Sequence, residues 1–202
     1  GGVWTYSLGA DWTINSDITL RSQYQHAIRA PNVGELYGGQ SLQFASATDP
    51  CSSRAPTAQQ TDAVKTICIA TGSPSAAVFT ASVQANTIIG NTIGGSPNVG
   101  EEESDTYTIG SVFTPSFVPG LALSLDWYSI ELNGAIAPLG GGLQNTLDLC
   151  YRIIADANSE FCKAVSARNT ITGEIIGPNY VNTTNANTGG IKTSGIDIEG
   201  RY

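Results

Sequence analysis

Between Ser104 and Leu132 two arms alternate in apolar and polar residues, and that alternation limits the possible folds of the chain more than any other feature. The arm Asp105–Phe113 places Tyr107, Ile109 and Phe113 at one parity and Thr106, Thr108 and Gly110 at the other. The arm Leu121–Trp127 does the same with Leu121, Leu123, Leu125 and Trp127 against Ala122, Ser124 and Asp126. Successive side chains of a strand point to opposite faces, so this pattern predicts a hairpin with one apolar and one polar face. Pro115-Ser116-Phe117-Val118-Pro119-Gly120 supplies the turn, since Pro and Gly end strands. Either a second sheet or lipid must cover the apolar face.

The same period recurs elsewhere. From Trp4 to Ile14 the even positions are Trp4, Tyr6, Leu8, Ala10, Trp12 and Ile14, and the odd ones are small or polar. Asn15-Ser16-Asp17 is a tight turn, and Ile18–His26 returns with Ile18, Leu20 and Tyr24 on one side. A last strand, Ile191–Tyr202, sets Ile196, Ile198 and Tyr202 against Asp197, Glu199 and Arg201. Two long excursions interrupt the strands. The first runs from Arg29 to about Glu103 with a short helix over Thr61–Ile69. The second runs from Leu132 to about Gly190 with a helix around Leu143–Ala157, its apolar stripe being Leu143, Leu147, Tyr151 and Ile154, and a short turn at Glu160–Ala164.

The expected fold is therefore all-β: an antiparallel up-and-down meander of about five long strands whose long loops carry short helices. The short connections fall at one end and the long ones at the other. An outer-membrane barrel sorts its loops in this way, and a β-sandwich has no reason to. Trp4 and Trp12 share a face eight residues apart, which at ~3.3 Å per residue and a tilt near 40° spans roughly 20 Å of bilayer normal, close to the apolar band of such barrels.

Composition narrows the functions. Only 13% of the 202 residues are charged and the net charge is −8, which repels nucleic acid phosphates. The 23 glycines suit strands and loops better than long helices. No apolar run reaches the ~20 residues of a membrane helix, which leaves β spans open. The chain has no Met and no signal-peptide pattern, and is read as an interior piece of a longer protein whose strands begin near Gly1-Gly2-Val3-Trp4. The four cysteines form two local pairs, Cys51/Cys68 and Cys150/Cys162, without a C-x-x-C and with His26 as the sole histidine. Of three possible connectivities, the local pairing as two disulfides in an oxidising compartment fits better than zinc ligation.

Four segments then resemble TonB-dependent outer-membrane receptors. Arg29-Ala30-Pro31-Asn32-Val33-Gly34-Glu35-Leu36 is similar to their "R-A-P-x-x-x-E-L". Ser96-Pro97-Asn98-Val99-Gly100-Glu101-Glu102-Glu103-Ser104-Asp105-Thr106-Tyr107 resembles their lead into a barrel strand, "N-P-x-L-x-P-E-x-S-x-x-Y", with Gly100 in place of the second proline. Asp126-Trp127-Tyr128-Ser129-Ile130 is similar to "D-x-Y-x-I", and Ser194-Gly195-Ile196-Asp197-Ile198-Glu199 to "x-G-x-E/D-x-x". The order of the four matches, and they cover nearly the whole chain.

The resemblance implies part of a 22-stranded transmembrane β-barrel filled by a plug domain, in the cell outer membrane, with loops facing outside. Residues 1–202 are then one barrel segment lacking the plug, the TonB box and the terminal strands. It further implies energised uptake of a scarce ligand such as a siderophore, cobalamin or an oligosaccharide. The partners would be outer-membrane lipid, the plug of the same full-length chain, the TonB system and the transported ligand. Neither nucleic acid, a cofactor nor catalysis is expected. Trp4, Tyr6, Leu8, Trp12, Tyr107, Ile109, Phe113, Leu121, Leu123, Leu125, Trp127, Ile196, Ile198 and Tyr202 would face lipid, and Asp126, Asp197, Glu199 and Arg201 the lumen.

Site candidates weigh less. Arg29 is either a ligand or plug contact or a structural contact at the rim, and the rim contact is preferred. Glu101, Glu102, Glu103 and Asp105 offer oxygens to Ca²⁺, but read first as a solvated acidic loop end. His26 has no partner ligand nearby in sequence. Gly140-Gly141-Gly142 lacks the Gly-Lys-Ser/Thr of a phosphate loop and reads as a lead into a helix. The rival from another class is a secreted, disulfide-stapled β-sandwich for adhesion or glycan binding, in which the apolar face is buried. An outer-membrane lipase would need a Ser/His pair that the chain does not supply.

Overall fold

The computed structural model describes residues 2–202; Gly1 lies outside them. In chain order the strands are β1 (Tyr6–Asn15), β2 (Ile18–Arg29), β3 (Ser41–Ser46), β4 (Ile88–Ile93), β5 (Glu102–Phe113), β6 (Ala122–Pro138), β7 (Val181–Asn182) and β8 (Asn185–Arg201). The helices are α1 (Val33–Tyr37), α2 (Asp62–Ala70), α3 (Leu143–Asp148) and α4 (Glu160–Lys163). No helix is long and apolar enough to cross a membrane. The chain divides into a unit built on the main sheet (1–31, 100–135 and 189–202) and a unit made of the two excursions (32–99 and 136–188).

The sheet unit holds five strands in the order β1-β2-β5-β6-β8. Its register runs unbroken from Ile18↔Phe113 to Arg29↔Glu102 between β2 and β5, and from Glu103↔Asn133 to Phe113↔Leu123 between β5 and β6. Trp4 lies before β1, because pairing with β2 begins at Tyr6↔His26. Strands β6 and β8 are longer than the alternation predicts, at 17 residues each. The two short turns hold each other. The Asn15 Oδ1 accepts from the amides of Asp17 and Ile18 at 2.9 Å. The Asp17 carbonyl accepts from the Thr114 amide at 2.8 Å, and the Asp17 carboxylate from the Ser116 amide and hydroxyl at 3.3 Å.

The excursion unit has its own core. It contains a three-stranded sheet, β3-β4-β7, that no alternation in the sequence announces. Thr61 caps α2 through Val64 N, one residue before the predicted helix gains its first acid, Asp62. The predicted helix over Leu143–Ala157 is shorter and changes pitch: α3 ends at Asp148, and Leu149–Ile153 is a π turn. The wide turn, closed by Ile154 N donating to Leu149 O at 3.0 Å, rotates the stripe. Leu143, Leu147 and Tyr151 stay buried, while Ile154 turns out to 46% exposure. Gly140, Gly141 and Gly142 all take positive φ, which lets the chain enter α3 abruptly.

Disulfides join Cys51 to Cys68 and Cys150 to Cys162. Between them Arg168, with a wholly buried side chain, binds Asp49 in a two-pronged pair at 2.7 and 3.0 Å. It also donates to the Gly173 carbonyl at 2.7 Å and to the Tyr151 hydroxyl at 2.9 Å, and lies over the Tyr151 ring. Burial alone would lower its pKa, but the Asp49 carboxylate and Tyr151 hold it above the usual guanidinium range. This cluster ties the first excursion (Asp49) to the second (Tyr151, Arg168), because a buried charge with one partner removed is costly.

Replacing Arg168 with Met should destabilise the excursion unit by about 3–5 kcal/mol, since Asp49 is left buried and unpaired. Hydrogen exchange in the full-length protein should show faster exchange at the Asp49–Ala55 and Tyr151–Ile153 amides while β5 and β6 stay protected; unchanged exchange would refute the role given to the pair. Burial raises the Tyr151 pKa in the folded state. Its stabilising share is therefore complete below the unfolded value of about 10 and is lost as pH climbs through the higher folded value. The same exchange experiment should show the unit loosening above pH ~10, less so in Tyr151→Phe.

Candidate functional site

The two faces of the main sheet are the candidate site, and the register builds each as rows. On the apolar face one row is Trp12, Leu20, Ser111 and Leu125, and the next is Ala10, Ser22, Ile109 and Trp127. Leu8, Tyr24, Tyr107 and Ser129 follow, then Tyr6, His26, Asp105 and Glu131 nearest the long excursions. The face thus changes from rows that mix tryptophan with aliphatic residues, through a tyrosine row, to a polar row along the strands. The Tyr24 and Tyr107 rings stack at 4.7 Å, and Tyr6 stacks on His26 at 5.2 Å. The Tyr24 hydroxyl donates to Asp105 at 2.7 Å, and His26 Nδ1 lies 2.9 Å from the same carboxylate. Lys192 pairs with Glu131 at 3.0 Å.

The apolar residues predicted for this face are mostly open. Trp4, Tyr6, Leu8, Tyr107, Ile109, Leu125, Trp127, Ile196 and Tyr202 are exposed, and Phe113 and Leu121 are half-buried. Trp12, Leu123 and Ile198 are exposed to 66%, 40% and 79%, where a sandwich would seal them between two layers.

The polar face is organised by ion pairs and by two glycines. Arg21, Gly110 and Asp126 stand side by side on β2, β5 and β6. The Arg21 guanidinium reaches across Gly110 and binds both Asp126 oxygens, Nε donating at 2.7 Å. A Cβ on Gly110 would fall on the Asp126 carboxylate, so any other residue breaks this row. Tyr128 lies across Gly195 of β8 in the same way; a Cβ there would meet its hydroxyl at 2.6 Å. Arg21, Asp126 and Tyr128, together with Gln23, Thr108 and Asp197, line a concavity of about 700 Å³.

The other candidates fall into place around these rows. Arg29 donates from Nε to Glu102 directly opposite it on β5, at 2.5 Å. Alternation splits the acidic run: Glu102 lies on the polar face with Arg29, and Asp105 on the apolar side with His26. Glu35 caps α1: its carboxylate accepts from Asn32 N at 2.7 Å, while the Asn32 side chain accepts from Glu35 N at 2.9 Å. Thus Glu102, Asp126 and Gly195 from three of the conspicuous segments each serve a partner across the sheet: Arg29, Arg21 and Tyr128. Sequence reading missed Gly110 and Gly195 as seats. The signal available was a glycine in a strand interior, which marks a close approach.

Known proteins share the fold. The family described as "TonB dependent receptor-like, beta-barrel" matches residues 1–202. The siderophore receptor PirA from Acinetobacter baumannii superposes with a TM-score of 0.53 at 16% identity, over 98% of this chain and 20% of that one. A mutant ferric enterobactin receptor (PfeA) from Pseudomonas aeruginosa, in complex with enterobactin, superposes with a TM-score of 0.51 at 14% identity, over 97% of this chain and 19% of that one. No curated protein matches the chain. The chain spans about a fifth of the length of these receptors. With the match running from the first residue to the last, the chain belongs to the TonB-dependent receptor-like β-barrel family.

Proposed function

We propose that this chain is the wall of an outer-membrane receptor that takes up a scarce ligand with energy delivered through TonB. One observation carries the reading: a five-stranded antiparallel sheet with an exposed apolar face that ends in an aromatic row, backed by a polar face of paired charges. Water disfavours such a face and hydrocarbon accepts it, and aromatic residues gather where hydrocarbon meets headgroups. Tyr24 and Tyr107 then mark the outer interface, and the His26–Asp105 and Lys192–Glu131 pairs lie at headgroup level. Eight steps from Tyr6 to Ile14 cover about 27 Å along the strand.

The polar face lines the lumen and meets the plug. Arg21–Asp126 and Arg29–Glu102 neutralise their own charges, which gives the plug a wall of fixed hydrogen-bonding geometry rather than a field of loose ions. The excursion unit, with its own core and two disulfides, stands outside the membrane. The cargo is a siderophore, cobalamin or an oligosaccharide.

Cells carrying the full-length receptor should outgrow receptor-null cells when iron, cobalamin or an oligosaccharide carbon source is limiting, and the advantage should vanish on deleting tonB. Equal growth under all three limitations would sink the uptake reading. The membrane reading has its own test in neighbouring residues of β5. Ile109→Arg should cost about 2–4 kcal/mol and deplete folded receptor from outer membranes, whereas Thr108→Arg should assemble nearly as wild type. Equal depletion by both would refute the assignment of faces. Gly110→Val should also lower assembly, through the clash with Asp126, and Asp126→Ala should restore part of it.

A further inference from the structure

A small cleft in the excursion unit has the makings of a ring-binding site. Tyr180 lies with its ring flat on Gly90, where a Cβ would come within 2.6 Å of the ring. Its backbone takes φ +52°, a conformation that a bulky residue adopts rarely and that clusters at ligand clamps. Phe44, opposite Gly90 in the β3–β4 register, meets Tyr180 edge to face at 5.6 Å. Phe44 is nevertheless 57% exposed, and Ile88 beside it is exposed too. Phe44 and Ile88 are thus left uncovered beside a half-buried Tyr180 that packs on the core.

The cleft between them measures about 160 Å³. A cavity of about 150 Å³ holds a benzene molecule, so the space fits one six-membered ring. Polar groups stand at its edge. The Gln84 amide is committed to Ala47 and Asp49, and the Asp49 carboxylate to Arg168. Glu174 is the remaining charge lining the cleft among the described residues. The lining mixes apolar side chains with polar groups, and the Glu174 carboxylate within it favours a neutral ring over an anionic one.

We infer that this cleft is a subsite for a single uncharged six-membered ring, supplied by a sugar or by an aryl group, that packs against Phe44 and Tyr180. The inference rests on the receptor reading only in taking the excursion unit to face outside.

Saturation-transfer NMR on the purified full-length receptor tests it with three probes: methyl β-D-glucopyranoside, benzyl alcohol and 2,3-dihydroxybenzoate. At least one neutral ring should bind, and Phe44→Ala should weaken it about fivefold while Phe44→Tyr retains it. Dihydroxybenzoate should bind more weakly than that ring and gain in Glu174→Gln. Transfer to the glucoside identifies a sugar subsite and transfer to the alcohol an aryl one; either supports the inference. It is overturned if neither neutral ring distinguishes wild type from Phe44→Ala, or if dihydroxybenzoate binds as well as the better neutral ring in both wild type and Glu174→Gln. Loss of ring binding with tonB-dependent growth intact removes the subsite alone. Ring binding without any growth advantage removes the uptake reading alone.

Discussion

Everything in the sheet unit depends on register. A slip of one residue of β2 along β5 would carry Leu20 and Tyr24 to the polar side of β5 and bring Arg21 to its apolar side. Alternation alone does not choose the register, because a slip of two preserves it. Local contacts make the choice. Asn15 closes the first turn on Asp17 and Ile18, and Asp17 then grips Thr114 and Ser116 of the second turn. At mid-strand Arg21 finds Asp126 only if Gly110 stands between them. Near the far end Arg29 meets Glu102. The sheet is thus pinned at both ends and in the middle, and each pin is polar.

Those pins explain the motifs that first suggested the family. Glu102 belongs to a segment read as a lead into a strand, Asp126 to one read as a strand, and Gly195 to another. Each looks arbitrary in its own segment. Across the sheet each has a defined mate: a guanidinium for each acid and the Tyr128 ring for the glycine. Glu35 differs, since it completes a capping box within its own helix. What resembles a list of scattered letters is one set of cross-strand fits plus a helix cap.

The excursion unit solves another problem. Its pieces are short and rich in Ser, Thr, Asn and Gly, so little of their surface is apolar. Two disulfides and the Asp49–Arg168–Tyr151 cluster supply cohesion that a larger apolar core would otherwise provide. The cost of burying Arg168 is met by full use of its donors: two on Asp49, with the Gly173 carbonyl and the Tyr151 hydroxyl taking the rest.

This contrast explains what could be read from the letters. The long strands were legible because alternation over ten residues has few other causes, and the cysteine pairs because their spacing is local. The short helix expected over Thr61–Ile69 is α2, Asp62–Ala70, with Thr61 as its cap. The small sheet β3-β4-β7 stayed hidden: Ser41–Ser46 and Ile88–Ile93 are six residues each, and β7 only two. The π turn escaped because Leu143, Leu147, Tyr151 and Ile154 fit a helical stripe to the last residue, and only the backbone shows the change of pitch. Asp49 and Arg168 lie 119 residues apart, with no pattern to connect them. Local periodicity therefore reveals the part of the chain whose two faces repeat along each strand. The part whose partners are single, distant side chains becomes visible only when folded.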